Sequence, residues 1–183
     1  IVGVGGQGTL LASKILGRLA LSENCGVKVS EVHGMSQRGG SVITHVRVGD
    51  SVHSPMVALG GADYLISFEA LEAARAACYL KPGGTAIVNT QHILPMPVIT
   101  GAAAYPEDPL AALASYRVES ADALGIAVEC GSQKALNLVL LGMFSLHLPF
   151  EEAAWRDAIA ACVPQKTLEV NLAAFARGRA LMG

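Results

Sequence analysis

The stretch Ile1-Val2-Gly3-Val4-Gly5-Gly6-Gln7-Gly8-Thr9-Leu10-Leu11-Ala12-Ser13-Lys14-Ile15-Leu16 decides the fold. It opens short, apolar and β-branched, then runs straight into a glycine-rich bend, which is how a buried strand ends in a tight turn. From Thr9 to Leu21 the apolar residues Leu10, Leu11, Ile15, Leu16, Leu19 and Ala20 recur with a helical period. Gly26 breaks the chain, and Val27 to Val32 alternates with period two, as a strand does. Strand, helix and strand within about 30 residues make a β-α-β unit, which predicts parallel strands joined by a right-handed crossover.

Working outward, His33-Gly34-Met35-Ser36-Gln37-Arg38-Gly39-Gly40 is polar, glycine-rich and long for a simple turn. Ser41 to Val48 alternates again, Gly49-Asp50 reads as a turn, and Ser51 to Met56 is expected to pair back as a hairpin. Asp63 to Phe68 reads as a buried strand and Glu69 to Leu80 as a helix, stopped by Lys81-Pro82-Gly83-Gly84. Thr85 to Asn89 is a further strand. Gln91 to Pro106 carries three prolines and little pattern, so it reads as a surface excursion. A short helix over Pro109 to Ser115 and a brief strand at Tyr116 to Glu119 follow. After Ala121 the pattern is helical only, over 121–129, 133–147, 151–162 and 166–181, punctuated by Gly131, Pro149 and Pro164. Alternating strands and helices predict an α/β fold: an open, mostly parallel Rossmann-like sheet, helices on both faces and a helical C-terminal third. The whole of 1–183 fits one domain.

Composition bounds the function. Of the 183 residues 52% are hydrophobic and only 15% charged, which excludes a disordered chain. The longest apolar stretch, Ala135 to Phe150, is interrupted by Asn137, Ser145 and His147, so no membrane span is expected. A net charge of −2 leaves no basic footprint for nucleic acid. So little charge on a folded chain means a large core or a face covered by a partner. Cys25, Cys78, Cys130 and Cys162 are far apart with no C-x-x-C pair, which argues against a zinc or iron–sulfur site. They are expected as buried free thiols in a reducing cytoplasm. No basic segment followed by an apolar one marks a signal peptide, and residues upstream of Ile1 are expected to be missing.

Gly3, Gly5 and Gly8 satisfy G-x-G-x-x-G between a strand and a helix, where backbone N–H groups at a helix N-terminus can receive an anion. Glu31 stands near the place of the acidic residue that a dinucleotide site needs. A free-standing NAD(P)-binding oxidoreductase is therefore one reading. The plainer one is that the glycines only let the helix pack on the sheet. The long loop after the second strand, and the amide that Gln7 places in the turn, weaken the dinucleotide reading. In the Gly34 to Gly40 loop, successive N–H groups can form an anion nest, with Arg38 adding a planar donor fork. A solvated surface arginine is the alternative. Ligands of open parallel sheets sit at the carboxyl ends of the strands. Gly5 to Gly8, His33 to Gly40, Glu69 and Asn89-Thr90-Gln91 are thus expected to converge on one edge. For Glu69, at the start of a helix, favouring the helix dipole is an alternative at least as good as a catalytic role, and Asn89 reads as a turn residue. His45 and Arg47 share one strand face, read as solvent-facing. The five histidines form no H-x-x-x-H or H-E-x-x-H, and no G-x-S-x-G elbow exists. With no nucleophile in sight, the chain reads as part of a larger enzyme.

Gly3-Val4-Gly5-Gly6-Gln7-Gly8, the run Glu31 to Val42 with its His-Gly-Met-Ser-Gln-Arg-Gly-Gly core, His45-Val46-Arg47, Ser54-Pro55, Gly61-Ala62-Asp63, Phe68-Glu69, Val88-Asn89-Thr90 and Asn171 to Gly178 together resemble the gamma domain of the 2-oxoacid:ferredoxin oxidoreductases. Within that family the chain is most similar to the beta subunits that serve indolepyruvate. The resemblance implies a non-thiamine accessory subunit of an enzyme that oxidatively decarboxylates a 2-oxoacid to an acyl-CoA. Thiamine diphosphate and [4Fe–4S] clusters are then expected in a larger partner subunit, with coenzyme A and ferredoxin as co-substrates and no cofactor held by this chain alone. Gly5, Gly6, Gln7, Gly8, His33, Ser36, Gln37, Arg38, Gly39, Gly40 and Glu69 become candidate interface or coenzyme A contacts; no catalytic residue and no metal ligand is carried over. Gamma subunits serving 2-oxoglutarate, pyruvate or branched-chain 2-oxoacids share much of the pattern and stay open. So does a pure assembly module without a ligand. An isolated chain with an exposed docking face is a candidate homodimer.

Overall fold

The structure, a computed structural model, describes residues 1–34 and 39–183. Its strands are β1 (Val2–Val4), β2 (Gly26–His33), β3 (Ser41–Gly49), β4 (Ala62–Ser67), β5 (Leu80–Asn89) and β6 (Arg117–Ala121). Its helices are α1 (Thr9–Ser22), α2 (Ala70–Ala76), α3 (Met96–Ile99), α4 (Ala123–Glu129), α5 (Leu136–Ser145), α6 (Glu152–Cys162) and α7 (Leu168–Ala180), with short 3-10 turns between some of them. The strands form one six-stranded sheet in the order β2-β3-β1-β4-β5-β6. All pairings among β1, β4, β5 and β6 are parallel, and β3 is antiparallel to both of its neighbours.

The β-α-β unit read at the amino end therefore has its two strands running the same way, but β3 lies between them. The hairpin β2–β3 folds back so that β3, not β2, pairs with β1. Residues 51–57 form no strand; the expected second hairpin is replaced by an irregular segment. Arg47 Nη1 donates to Ser54 O (3.2 Å) and holds that segment along β3. The helix expected over Glu69 to Leu80 stops at Ala76, passes through a 3-10 turn at Ala77–Tyr79, and β5 begins at Leu80.

Strand alternation distributes the core between two layers. Ile66, Phe68 and Ile87 point to the side of α1 and α5, while Leu65, Ala86 and Val88 point to the side of α2 with Leu80 and Leu113. All ten residues of α5 are buried, so the apolar stretch set aside as a membrane span is the central core helix. No helix among the described residues is long and apolar enough to cross a membrane. The helical C-terminal third covers the α1 face: α7 packs along α5 and α6 against α1, and Trp155 of α6 meets Phe175 of α7 between them. At the far edge His147, just beyond α5, meets the buried Glu119 of β6 (Nε2 to Oε2 2.7 Å). The cysteines are free, but none is fully buried and Cys78 is exposed, contrary to the sequence expectation. They end short helices or sit in turns, where one side remains open to water.

Candidate functional site

The carboxyl edge of the sheet is organised by side-chain amides. Gln7 does not point into solvent from the glycine turn. Its Oε1 accepts from Val4 N (2.7 Å), and its Nε2 donates to Phe68 O (2.9 Å) and to Gln91 Oε1 (3.2 Å). Gly3 lacks a side chain for this reason: a Cβ there would stand 3.0 Å from both Gln7 Oε1 and Phe68 Cβ. Asn89, read as a turn residue, is buried and bridges three elements. Its Nδ2 donates to Phe68 O (2.9 Å) and Gln91 Oε1 (3.4 Å), while Ala123 N at the start of α4 donates to its Oδ1 (3.0 Å). The ends of β1, β4 and β5 are thereby tied into one rigid rim, since buried amides with all partners met hold a unique geometry.

Glu69 lies beside this network, 1% exposed, and caps α2. Glu72 N donates to its Oε2 (2.8 Å), and Ile93 N (3.0 Å) and Tyr105 Oη (2.8 Å) donate to its Oε1. Both carboxylate oxygens are engaged by the protein itself. The side chain therefore anchors the 91–106 excursion to the start of α2. Burial, followed by the hydrogen bond to Glu69, raises the Tyr105 phenol well above its usual range, which keeps it a neutral donor.

The turn itself is open on its outer side. Gly6 (φ 106°) and Gly8 (φ 97°) take left-handed backbone that an L side chain rarely adopts. Nothing lies within 4 Å of a Cβ on Gly6, whereas one on Gly8 would meet Asn137 Nδ2 at 2.9 Å. Gly8 caps α1 without a side-chain bond, so the first N–H groups of a 14-residue helix face outward. Across from them Gly5 N donates to Gly40 O (2.8 Å) and Gly39 N to Gly5 O (3.3 Å), so the second glycine-rich loop is joined to the first. A cleft of about 410 Å³ opens here, lined by the turn glycines together with Thr9, Leu10, Glu31 and His33. Its size and open helix terminus suit an elongated anionic ligand.

The structure thus brings Gly5, Gly6, Gly8 and His33 to one cleft, and places Gly39 and Gly40 at its rim. Gln7 and Glu69 face inward as braces. Ser36, Gln37 and Arg38 lie outside the described residues. Glu31 lines the cleft, with Thr44 Oγ1 donating to its Oε2 (3.3 Å). The insertion of β3 moves it a full strand spacing, about 4.8 Å, further from the turn than a dinucleotide fold would. Nothing in the cleft pairs a nucleophile with a base, and among the described residues no three His, Cys, Asp or Glu side chains come together to hold a metal ion. The arrangement can bind and orient a ligand. The inward amides at the ends of β1 and β5 escaped the sequence reading, although Gln7, Asn89 and Gln91 are a signal of their own: amide side chains at or just past a strand end.

His45 corrects another expectation. It is 5% exposed, not solvent-facing. Its Nδ1 accepts from Val57 N (3.3 Å), and its ring meets Tyr79 edge-on. The irregular 51–57 segment covers the face that simple alternation assigned to water.

A three-layered α/β chain with a cleft at the glycine turn is the class that fold and site define. Residues 1–181 match the family described as pyruvate ferredoxin/flavodoxin oxidoreductase, and the chain belongs to that family. It is 42% identical to the indolepyruvate oxidoreductase subunit IorB of Thermococcus kodakarensis, over 97% of this chain and 92% of the relative. Its fold is shared with a keto/oxoacid ferredoxin oxidoreductase gamma subunit from Geobacter sulfurreducens PCA (TM-score 0.72, 22% identity, covering 99% of this chain and 95% of that one). It is shared also with part of the 2-oxoglutarate:ferredoxin oxidoreductase of Magnetococcus marinus, a structure holding 2-oxoglutarate, coenzyme A and succinyl-CoA (TM-score 0.73, 18% identity, 99% of this chain and 30% of that one). The chain is an accessory subunit of a 2-oxoacid ferredoxin oxidoreductase.

Proposed function

We propose that this chain completes an indolepyruvate-type ferredoxin oxidoreductase, in which a larger partner subunit holds thiamine diphosphate and [4Fe–4S] clusters and performs the decarboxylation. The observation that carries the substrate class is the 42% identity, across nearly the whole chain, to a subunit named for indolepyruvate. The glycine-turn cleft then serves coenzyme A: outward N–H groups of α1 take a phosphate, and His33 and Leu10 flank the remainder. Arg38, five residues on from His33 in the sequence, is the candidate cation. In this reading the chain adds no reacting group. It orients the thiol carrier and closes the partner's site against water.

The test is reconstitution with the partner under anaerobic conditions. The isolated chain is expected to oxidise no 2-oxoacid, and the complex is expected to turn over arylpyruvates faster than 2-oxoglutarate or pyruvate. Substantial turnover by the chain alone sinks the proposal. Within the complex, His33→Ala is expected to raise the KM for coenzyme A several-fold while leaving kcat and the yield of complex unchanged. His33 is exposed and, among the described residues, its ring bonds only the neighbouring Gly34 O (3.0 Å), so a loss of assembly instead assigns the cleft to the partner interface.

A further inference from the structure

Gly39 and Gly40, at the rim of the glycine-turn cleft, join the turn through backbone alone: Gly5 N donates to Gly40 O and Gly39 N to Gly5 O. Gly39 takes a left-handed φ of 75°, and nothing lies within 4 Å of a Cβ there. Glycine backbone gives up the most freedom on ordering, so two backbone bonds hold this rim weakly. The first side chain after it belongs to Ser41, at the start of β3 opposite Val4. Alternation along β3 sends Ser41 and Ile43 to the α2 side of the sheet and Val42 to the other side, where it lines the cleft.

On the α2 side Ser41 Oγ donates to Glu72 Oε2 (2.5 Å). Glu72 is buried, and its Oε1 accepts from Arg75 Nη1 one turn on (2.6 Å). Its backbone N–H is in turn bound by Glu69, the cap of α2. A carboxylate engaged at both oxygens, on a helical turn fixed by its cap, is a rigid acceptor, and a hydrogen bond to a charged acceptor is stronger than one between neutral groups. Burying that carboxylate costs desolvation that an apolar side chain of the same size avoids. What Glu72 gains in return is a fixed place for Ser41.

We infer that Glu72 is a positioning residue of the cleft. It stands on the far side of the sheet from the ligand. Through Ser41 it fixes the first residue of β3, and so holds Val42 and the Gly39-Gly40 rim in place against the outward N–H groups of α1. The inference rests on the reading of the cleft as the coenzyme A site, and adds to it the residue that keeps the cleft in shape.

Three variants test it. Ser41→Ala removes the pin and leaves the strand backbone, Ser41→Thr keeps the hydroxyl, and Glu72→Gln keeps the side-chain shape without its charge. In the chain by itself, amide exchange at Gly5 and Gly39 is expected to quicken in Ser41→Ala and Glu72→Gln and to stay near the parent rate in Ser41→Thr. In the reconstituted complex the first two are expected to raise the KM for coenzyme A at least about threefold. The KM for the 2-oxoacid is expected to stay put, and Ser41→Thr to match the parent. Exchange that does not quicken overturns the inference. So does a KM for coenzyme A that holds in both variants while His33→Ala raises it, because the cleft then binds without the pin. If His33→Ala leaves that KM unmoved as well, the coenzyme A reading fails and this inference falls with it. A joint rise of both KM values also counts against it, since Glu72 is then a support of the fold at large. Where Glu72→Gln does not fold, the two Ser41 variants decide.

Discussion

Two buried side chains on the α2 side of the sheet carry more of the local architecture than their neighbours. Glu69 accepts three hydrogen bonds, from Glu72 N, Ile93 N and Tyr105 Oη. Glu69→Gln puts an amide donor where only donors point, and leaving buried partners unmatched costs about 1–3 kcal/mol. The expected result is a lower urea midpoint and faster proteolysis within 91–106, whereas Tyr105→Phe, which removes one bond and leaves Ile93 N in place, costs about 0.5–1.5 kcal/mol. Equal, negligible losses in both variants count against Glu69 as the anchor. His45 titrates with a definite sign. Burial holds its imidazole below the usual 6.5, so the folded chain binds fewer protons than the unfolded one on the acid side. Its contribution is complete above about pH 6.5 and is lost as pH falls from there through the lowered folded value. Urea midpoints measured from pH 7.5 to 5 are expected to decline, and His45→Asn is expected to flatten that decline. An unchanged slope in the variant assigns the acid sensitivity elsewhere.

At the scale of elements, close helix approach depends on missing side chains. A Cβ on Gly178 of α7 would lie 2.0 Å from Val139 O, and one on Gly142 of α5 would lie 2.2 Å from Phe175 O. The two helices touch backbone to backbone. Gly178→Ala is therefore expected to destabilise by about 1–3 kcal/mol or more, since packed backbone cannot yield as a flexible side chain can. Gly17 is the control: it lies inside α1 with nothing within 4 Å of a Cβ, so Gly17→Ala is expected to stabilise by about 0.5–1 kcal/mol. Thermal melts of both variants decide it, and two shifts of the same sign defeat the argument. Element identity was legible in the sequence because apolar period and glycine breaks are local: α1, β2, β3, β4 and the C-terminal helices fall close to where periodicity puts them. Strand order was not. Nothing in the alternation of Ser41 to Val48 says whether that strand pairs beyond β2 or slips in beside β1. The burial of His45 was hidden for a related reason, because the segment that covers its face has no pattern of its own. The convergence of the turn glycines with His33 could be anticipated from topology alone, whereas the inward aim of Gln7 and Asn89 is set by contacts between residues far apart in sequence.

At the scale of the molecule, composition and structure raise one question: why a chain this apolar leaves large side chains outside. Part of the 52% hydrophobic content is absorbed by a core that buries a whole helix, α5. Three of the exposed side chains fall close together. Leu94, Met96 and Ile99 stand 52%, 66% and 61% exposed within the short excursion that Glu69 and Tyr105 pin to the sheet edge. Fixing an apolar loop in place and then exposing it is costly for a protein that works alone, because ordering the backbone and leaving the side chains in water both oppose stability. It is favourable for a subunit, whose partner removes that surface from water without having to order it first. Replacing all three residues by serine therefore separates the two roles. The isolated variant is expected to keep its Tm within about the small shift of surface substitutions, roughly 0.5 kcal/mol in stability. Capture of the larger partner subunit is expected to fall at least tenfold, since each buried aliphatic side chain contributes about 1.5–3 kcal/mol. Unchanged capture places the partner on another face, and a large drop in Tm makes the excursion part of the chain's own core.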